Sequence, residues 1–305
     1  MDHTEDCNIM INTAHIGVSY KCNMNCQHCF VTRNQDDDVF YDHYAEIIDW
    51  LYQHGLSVLF YTYGEPLVTN KFYEVAQYVS GKRICQVLMT NGYEITDNAI
   101  IKKIKDVGIK QVYVSIDSID AHKHDDNRRK KGAWTHAIKA LELLAQSDII
   151  SGIACTITDR NCNEMCELYK LAQDLKINYI SMLRCRIGGK LIKLHDYDCY
   201  SNSIKKLVSE NQNSKVGIRV HDLSLIPMFK KMLNENQISN NEYKKFEAMC
   251  SCHQQYNINI APNGDVYQCD FASTPVGNIT LNTLNNIIDR CYISHCSCRV
   301  VSETH

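Results

Sequence analysis

From residue 16 to about 185 the chain alternates short apolar runs with segments of helical period, and this alternation limits the possible folds more than any other feature. "HIGVS" (15–19), "SVLFYT" (57–62), "QVLMT" (86–90), "QVYVSID" (111–117), "GIACTIT" (152–158) and "YISML" (179–183) read as six strands. "YDHYAEIIDWLYQHG" (41–55), ended by Gly55, and "NKFYEVAQYVS" (70–80) read as helices. Residues 97–107 place Ile100, Ile101, Ile104 and Val107 on one helical face. Trp134, Ile138, Leu141 and Ala145 form a second stripe, and Met165, Leu168, Ala172 and Leu175 a third. Short runs, each followed by a helix, predict an α/β fold with a parallel sheet covered by helices. In such sheets ligands gather at the C-terminal ends of the strands.

A chain of 305 residues can bury one large core, or one core with an appendage. The net charge of −3 gives no sign of a nucleic-acid or anionic-membrane partner. The acidic start "MDHTEDCNIMINTAH" lacks the basic and apolar regions of a signal peptide, and no run is long enough to span a bilayer. The expected location is the cytoplasm. Sixteen cysteines in a reducing compartment suggest metal binding or catalysis before disulfides. Cys85, Cys155 and Cys166 fall in apolar or helical patterns and are expected to pack as small hydrophobes.

Three cysteines, Cys22, Cys26 and Cys29, lie on one loop, "SYKCNMNCQHCF" (19–30), directly behind the first strand. With His28 they could make a zinc site of three thiolates and one imidazole. Structural zinc sites usually close two separated ligand pairs, whereas three thiols from one loop suit a 4Fe–4S cluster with one iron left without a protein ligand. The C-x3-C-x2-C spacing resembles the signature of the radical S-adenosylmethionine (SAM) superfamily, with His28 where an aromatic residue usually precedes the last cysteine. That resemblance implies a partial (β/α)6 TIM-like barrel over about residues 16–190. It also implies that SAM chelates the open iron and is reductively cleaved to a 5′-deoxyadenosyl radical that abstracts hydrogen.

Other segments strengthen the resemblance. "YTYGEP" (61–66) is similar to the family's GGEP motif, whose glycine and glutamate, here Gly64 and Glu65, meet the SAM amino group; Tyr63 replaces the usual first glycine. "MTNG" (89–92), with Asn91, resembles the family's T-N-G turn. "VSIDS" (114–118) resembles a segment whose serine and aspartate, Ser115 and Asp117, approach SAM. In "HDDNRRKKGAWTHAIKAL" the family spacing makes Arg128 the contact to the SAM carboxylate; read without it, "NRRKK" is a solvated basic loop.

Residues 191–248 turn polar and Asn/Lys-rich and are read as a helical bridge; 249–305 form a cysteine-dense tail. "YNINIAPNGDVYQCDF" alternates around an Asn-Gly turn, as a β-hairpin does. Cys252, Gly264 and Cys269 in a C-x11-G-x4-C spacing resemble the SPASM and twitch extensions of the family, and "VGNITLNTLNNIID" resembles the segment that follows there. The resemblance implies one auxiliary 4Fe–4S cluster held by Cys252, Cys269 and two of Cys291, Cys296 and Cys298. A structural zinc knuckle is the alternative.

Members with such tails modify ribosomally made peptides, activate sulfatases or oxidise small alcohols and sugars. The expected substrate is therefore a peptide, epimerised, crosslinked or oxidised, with a twitch-type dehydrogenase of a sugar or aminocyclitol as the alternative. The roughly fifteen residues before the first strand are too few for a leader-peptide-binding domain. Cys185 and Cys250 are candidate hydrogen donors for epimerisation, and a flavodoxin or ferredoxin is the expected reductant. A non-catalytic metal scaffold would leave Glu65 and the strand-end motifs without a purpose.

Overall fold

The computed structural model describes residues 11–31, 39–187, 190–210, 215–222, 224–249, 257–268, 272, 274–280 and 284–286. The six expected strands form as β1 (Thr13–Gly17), β2 (Val58–Thr62), β3 (Cys85–Thr90), β4 (Ile109–Ser115), β5 (Ile150–Ile157) and β6 (Tyr179–Arg184). Each pairs parallel with the next, which bears out the partial (β/α)6 barrel. The connecting helices are α1 (Val39–Gln53), α2 (Asn70–Ser80), α3 (Asn98–Asp106), α4 (Ala121–Arg128), α5 (Ala133–Ala145) and α6 (Met165–Asp174).

Local chemistry sets the helix ends. Asp97 caps α3 by accepting from Ala99 N (2.8 Å) and Ile100 N (3.2 Å), and Thr69 caps α2 by accepting from Lys71 N. Strand alternation then sorts the side chains. Ile16, Leu59, Leu88, Val112, Ile153 and Ile180 are buried in the large core shared with the helices. The opposite, concave face holds a second, small core of Val87, Tyr113 and Ala154, with Phe60, Met89 and Tyr179 packed against it.

Three features depart from the sequence reading. Between α3 and α5 a further helix takes in the start of the basic run: α4 is capped by Asp120, which accepts from Lys123 N at 2.8 Å, its His124, Asn127 and Arg128 are buried, and Arg129 ends it in the left-handed region. On α5 the buried face is Ala133, Ala137, Ala140, Leu141 and Leu144, while Ala145 is exposed. The helix turns its alanines inward because the "MTNG" turn passes so close that a Cβ on Gly92 would lie 3.2 Å from Ala137 Cα. Finally, 191–248 is not purely helical. Beside α7 (Tyr197–Glu210), α8 (Leu225–Asn234) and α9 (Asn240–Met249) it contains β9 (Gly217–His221), a seventh parallel strand paired with β6. Only Ile218 and Val220 face the large core there, with Arg219 between them, too few apolar positions to stand out from polar surroundings.

After β6 a small antiparallel ribbon pairs β7 (Arg186–Ile187) with β8 (Lys190–Leu191). The predicted hairpin forms as β10 (Asn257–Ile260) and β11 (Asp265–Tyr267) around a turn with Gly264 at φ +82, and β12 (Gly277–Asn278) pairs with β11. β10 pairs parallel with β1, so the hairpin continues the main sheet at the edge opposite β9. Cys250, Cys252, Cys269, Cys291, Cys296 and Cys298 lie outside the described residues. Among the described residues no helix is long and apolar enough to cross a membrane.

Candidate active site

The cysteine loop leaves the C-terminal end of β1 and is tied, stretch by stretch, to the ends of the neighbouring strands. Lys21 O accepts from Glu65 N at 2.8 Å. Asn23 accepts from Asn91 Nδ2 (2.7 Å) and donates to Glu94 Oε1 (2.9 Å). Gln27 N donates to Asn127 O at 2.8 Å, and Gln27 Nε2 to Asp126 O at 3.0 Å, which fixes the loop to α4. Tyr20 donates to Asn263 of the C-terminal hairpin at 3.0 Å. Cys22, Cys26 and Cys29 are all half-buried. Two sulfurs accept protein donors: Cys22 Sγ from Met24 N (3.4 Å) and Cys26 Sγ from the Arg128 guanidinium (3.8 Å).

Gly64 explains why the second motif needs glycine. Its φ is +50, and an added Cβ would sit 2.4 Å from Lys21 O and 2.7 Å from Ser19 O. The close approach is thus to the cysteine loop itself. Tyr63, where glycine was expected, keeps φ at +59 despite its side chain and packs edge-on against Tyr20 and Phe30. A bulky residue in this region is strained by about 1–2 kcal/mol, and the ring contacts help to hold it.

Glu65 is 2 % exposed. Its carboxylate accepts from Thr90 Oγ1 (2.7 Å), Asn91 N (2.7 Å) and Leu67 N (3.2 Å). Burial pushes its carboxyl up to about 7, against the pull of the Asn91, Thr90 and Leu67 donors. A cation arriving beside it would restore the charged form.

Across the loop, Asp117 is buried at the end of β4 and is occupied within the protein. It accepts from Asn127 Nδ2 (3.0 Å) and Thr156 N (3.1 Å) and lies 2.8 Å from Arg128 Nε. Burial alone would raise its carboxyl, but the Arg128 guanidinium and two histidines outweigh that and hold it well below the usual carboxylate range. His28 sits between them, Nδ1 at 3.3 Å from Asn127 Oδ1 and Nε2 at 3.8 Å from Asp117, its pKa lowered by burial. Asp117 N donates to His124 Nδ1 at 3.2 Å. Arg128 itself is buried, with Nε 2.8 Å from Asp117 and Nη1 donating to Cys26 Sγ at 3.8 Å. A buried guanidinium held in this way next to a thiol can present its remaining N–H groups to an incoming carboxylate.

The sequence-predicted set therefore comes together: Cys22, Cys26, Cys29, His28, Gly64, Glu65, Asn91, Asp117 and Arg128 form one connected group, with Ser115 half-buried at the end of β4. Cys185 lies just past β6, buried, its N donating to Ile157 O at 2.9 Å; burial raises its thiol pKa, and Asp117 adds to that. Thr90, Asn127 and His124 were not singled out from the sequence. The signal for the last two was available, since His124, Asn127 and Arg128 are at i, i+3 and i+4 of one helix. Among the described residues no three His, Cys, Asp or Glu side chains converge on a single ion site.

Comparison with known proteins agrees with this geometry. The sequence model of the radical SAM superfamily matches residues 16–172. The chain is 31 % identical over 157 residues to the AdoMet-dependent heme synthase of Methanosarcina barkeri, covering 50 % of this chain and 45 % of that protein. It is 27 % identical over 158 residues to the mycofactocin maturase MftC of Mycolicibacterium smegmatis, covering 51 % and 40 %. The chain thus spans less than half the length of these relatives. In fold it is similar to Streptococcus suis SuiB, solved bound to its precursor peptide SuiA, with a TM-score of 0.71 and 15 % identity over 98 % of this chain and 68 % of that one. With more than half of its residues inside the family match and the motifs joined at the strand ends, the chain belongs to the radical SAM superfamily.

Proposed function

We propose that the chain is a radical SAM enzyme that abstracts hydrogen from a ribosomally made peptide. Family membership implies SAM and a 4Fe–4S cluster. The observation that carries the reading is the connected group at the strand ends: three thiols on a loop pinned between a buried carboxylate that a cation would hold in its charged form and a buried guanidinium beside a thiol. A cubane gives each thiolate its own iron, so three thiols spaced along one loop suit a cluster. Cys22, Cys26 and Cys29 would hold the cluster. Glu65 would accept from the SAM ammonium and Arg128 would meet its carboxylate, with Gly64, Asn91, Ser115 and His28 shaping the pocket. Asp117 would act through Arg128, as a positioning residue. Bound together, cluster and SAM supply one-electron cleavage of the sulfonium and, from it, hydrogen abstraction. The Cys185 thiol, kept protonated by burial, is the candidate to return a hydrogen; Cys250 is the other.

The likeness in fold to a protein solved with its precursor peptide, and the mycofactocin maturase relative, support a peptide substrate. The higher identity to a heme synthase supports a second reading, a tetrapyrrole. We further propose a barrel over 16–190, a bridge over 191–248 and an auxiliary-cluster tail over 249–305, a flavodoxin or ferredoxin as reductant, and a cytoplasmic location.

The test is anaerobic incubation of the reconstituted chain with SAM and dithionite. Methionine and 5′-deoxyadenosine are expected from the wild type and neither from Cys26→Ala. A Cys26→Ala protein that still formed 5′-deoxyadenosine would overturn the assignment of the loop. About eight irons per chain, four per cluster, are expected with the auxiliary cluster, and about half that with a zinc knuckle in the tail.

A further inference from the structure

Away from the carboxylates of the candidate active site, the concave face of the sheet carries an arginine that has no acidic partner among the described residues. Tyr113, Gly152, Tyr179 and Gly217 are register partners on β4, β5, β6 and β9. The two tyrosine rings lie across the two glycines: a Cβ on Gly152 would meet the Tyr113 ring at 2.4 Å, and one on Gly217 the Tyr179 ring at 2.5 Å. The result is a flat aromatic shelf. The Arg219 guanidinium lies 5.4 Å over the Tyr179 ring, is exposed, and has no acidic partner among the described residues. Tyr113 is 3 % exposed, and its buried hydroxyl has no hydrogen-bond partner. His221, two residues beyond Arg219 on the same face, completes the group.

Electrostatics agree with the geometry. Burial pushes the His221 imidazole down to about 4, and Arg219 and His15 push it further in the same direction. Arg219 is the charged neighbour of the Tyr113 hydroxyl, with the Tyr179 phenol also close by. No carboxylate contributes at either place. His221 and Tyr113 therefore offer neutral donors and Arg219 a fixed charge, a set that recognises a carboxylate. Strand register puts His221 opposite Leu183, which pairs with Thr156, whose N reaches Asp117. His221 thus stands level with the candidate active site, and the tyrosine shelf lies on the same inner face four residues toward the N-terminal strand ends, with Arg219 between the two.

We propose that Arg219, flanked along the inner face by Tyr113 on one side and His221 on the other, anchors a subsite for a carboxylate of the substrate. The proposal rests on the reading of this chamber as the substrate site of a radical SAM enzyme. Two sources supply the same chemistry, an acidic side chain of a peptide and a propionate of a tetrapyrrole.

The experiment measures equilibrium binding to the anaerobically reconstituted full chain in two arms. One compares a labelled Glu-containing peptide with its Gln counterpart; the other compares coproporphyrin III with its methyl ester. In at least one arm the acid binds about tenfold or more tightly than its neutral partner, the size expected of a charge-assisted hydrogen bond to arginine. The arm that shows the preference identifies the source. Arg219→Gln abolishes the preference, and Arg219→Lys retains part of it. Equal binding of acid and neutral partner in both arms, or a preference that survives Arg219→Gln, overturns the subsite. SAM cleavage by the wild type without either ligand tests the parent reading separately, because its absence would sink that reading and leave the carboxylate preference untouched.

Discussion

Gly64 and Gly132 provide a matched pair for measuring what the cysteine loop demands of its neighbour. Both have positive φ, +50 and +79. An alanine at either site bears the left-handed penalty of about 1–2 kcal/mol. At Gly132 nothing more is added, because the new Cβ meets only His136 Cδ2 at 3.9 Å, an ordinary contact. At Gly64 the Cβ falls 2.4 Å from Lys21 O and 2.7 Å from Ser19 O, and backbone oxygens cannot swing away as a side chain can. Relieving that overlap costs about 1–3 kcal/mol, and the shift of Lys21 strains the 2.8 Å bond from Glu65 N, worth about 1 kcal/mol. Gly64→Ala should lose about 3–6 kcal/mol in total and Gly132→Ala about 1–2. Urea denaturation of the metal-free proteins measures the difference. Because Cys22 follows Lys21, Gly64→Ala should also lower iron content and 5′-deoxyadenosine yield after reconstitution, while Gly132→Ala keeps both. Equal destabilisation of the two variants, or a Gly64→Ala enzyme with full iron and full SAM cleavage, would refute the reasoning.

The raised Glu65 carboxyl, about 7 against an ordinary 4.5, makes two signed predictions. The folded ligand-free chain holds this proton more tightly than the unfolded chain, so this group's contribution to stability rises by about 3 kcal/mol as pH falls from 7 toward 4.5. The difference between wild type and Glu65→Gln in denaturation at several pH values isolates it, and a difference independent of pH would contradict it. SAM binding requires the charged form, so its affinity should fall about tenfold per pH unit below 7, as read by anaerobic calorimetry; a flat profile would remove Glu65 from the ammonium site. Asp117→Asn strands the buried Arg128 and should cost about 3–5 kcal/mol, with Asp117→Asn/Arg128→Met losing less than the sum of the single variants. Cys185→Ala should still form 5′-deoxyadenosine but stop incorporation of solvent deuterium into a peptide product; undiminished incorporation would exclude Cys185 as the donor.

Much of the fold was legible because it rests on periodicity. Six strands and five helices repeat the same amphipathic logic, and their predicted bounds fall within about two residues of those observed. α4 was not, since its buried face is polar: His124, Asn127 and Arg128 face inward for Asp117 rather than for a hydrophobic core, and a scan for apolar stripes sees only "NRRKK". β9 escaped for the opposite reason, two apolar residues being too few to mark a strand. In the site, the cysteine spacing and Glu65 could be read directly. The bonds that join them, Lys21 to Glu65 and Asn23 to Asn91, connect residues far apart in the chain through backbone and amide groups that have no sequence signature.

The hairpin's place beside β1 has a consequence for how the protein is made. β1 leaves the ribosome early, but its free edge finds β10, and Tyr20 finds Asn263, only after 243 further positions have been translated. Closing so long a loop is slow, and until it closes the nascent sheet keeps one open flank. Until then the cysteine loop lacks its Tyr20 tether, so it reaches its final geometry only once the C-terminal hairpin has been made.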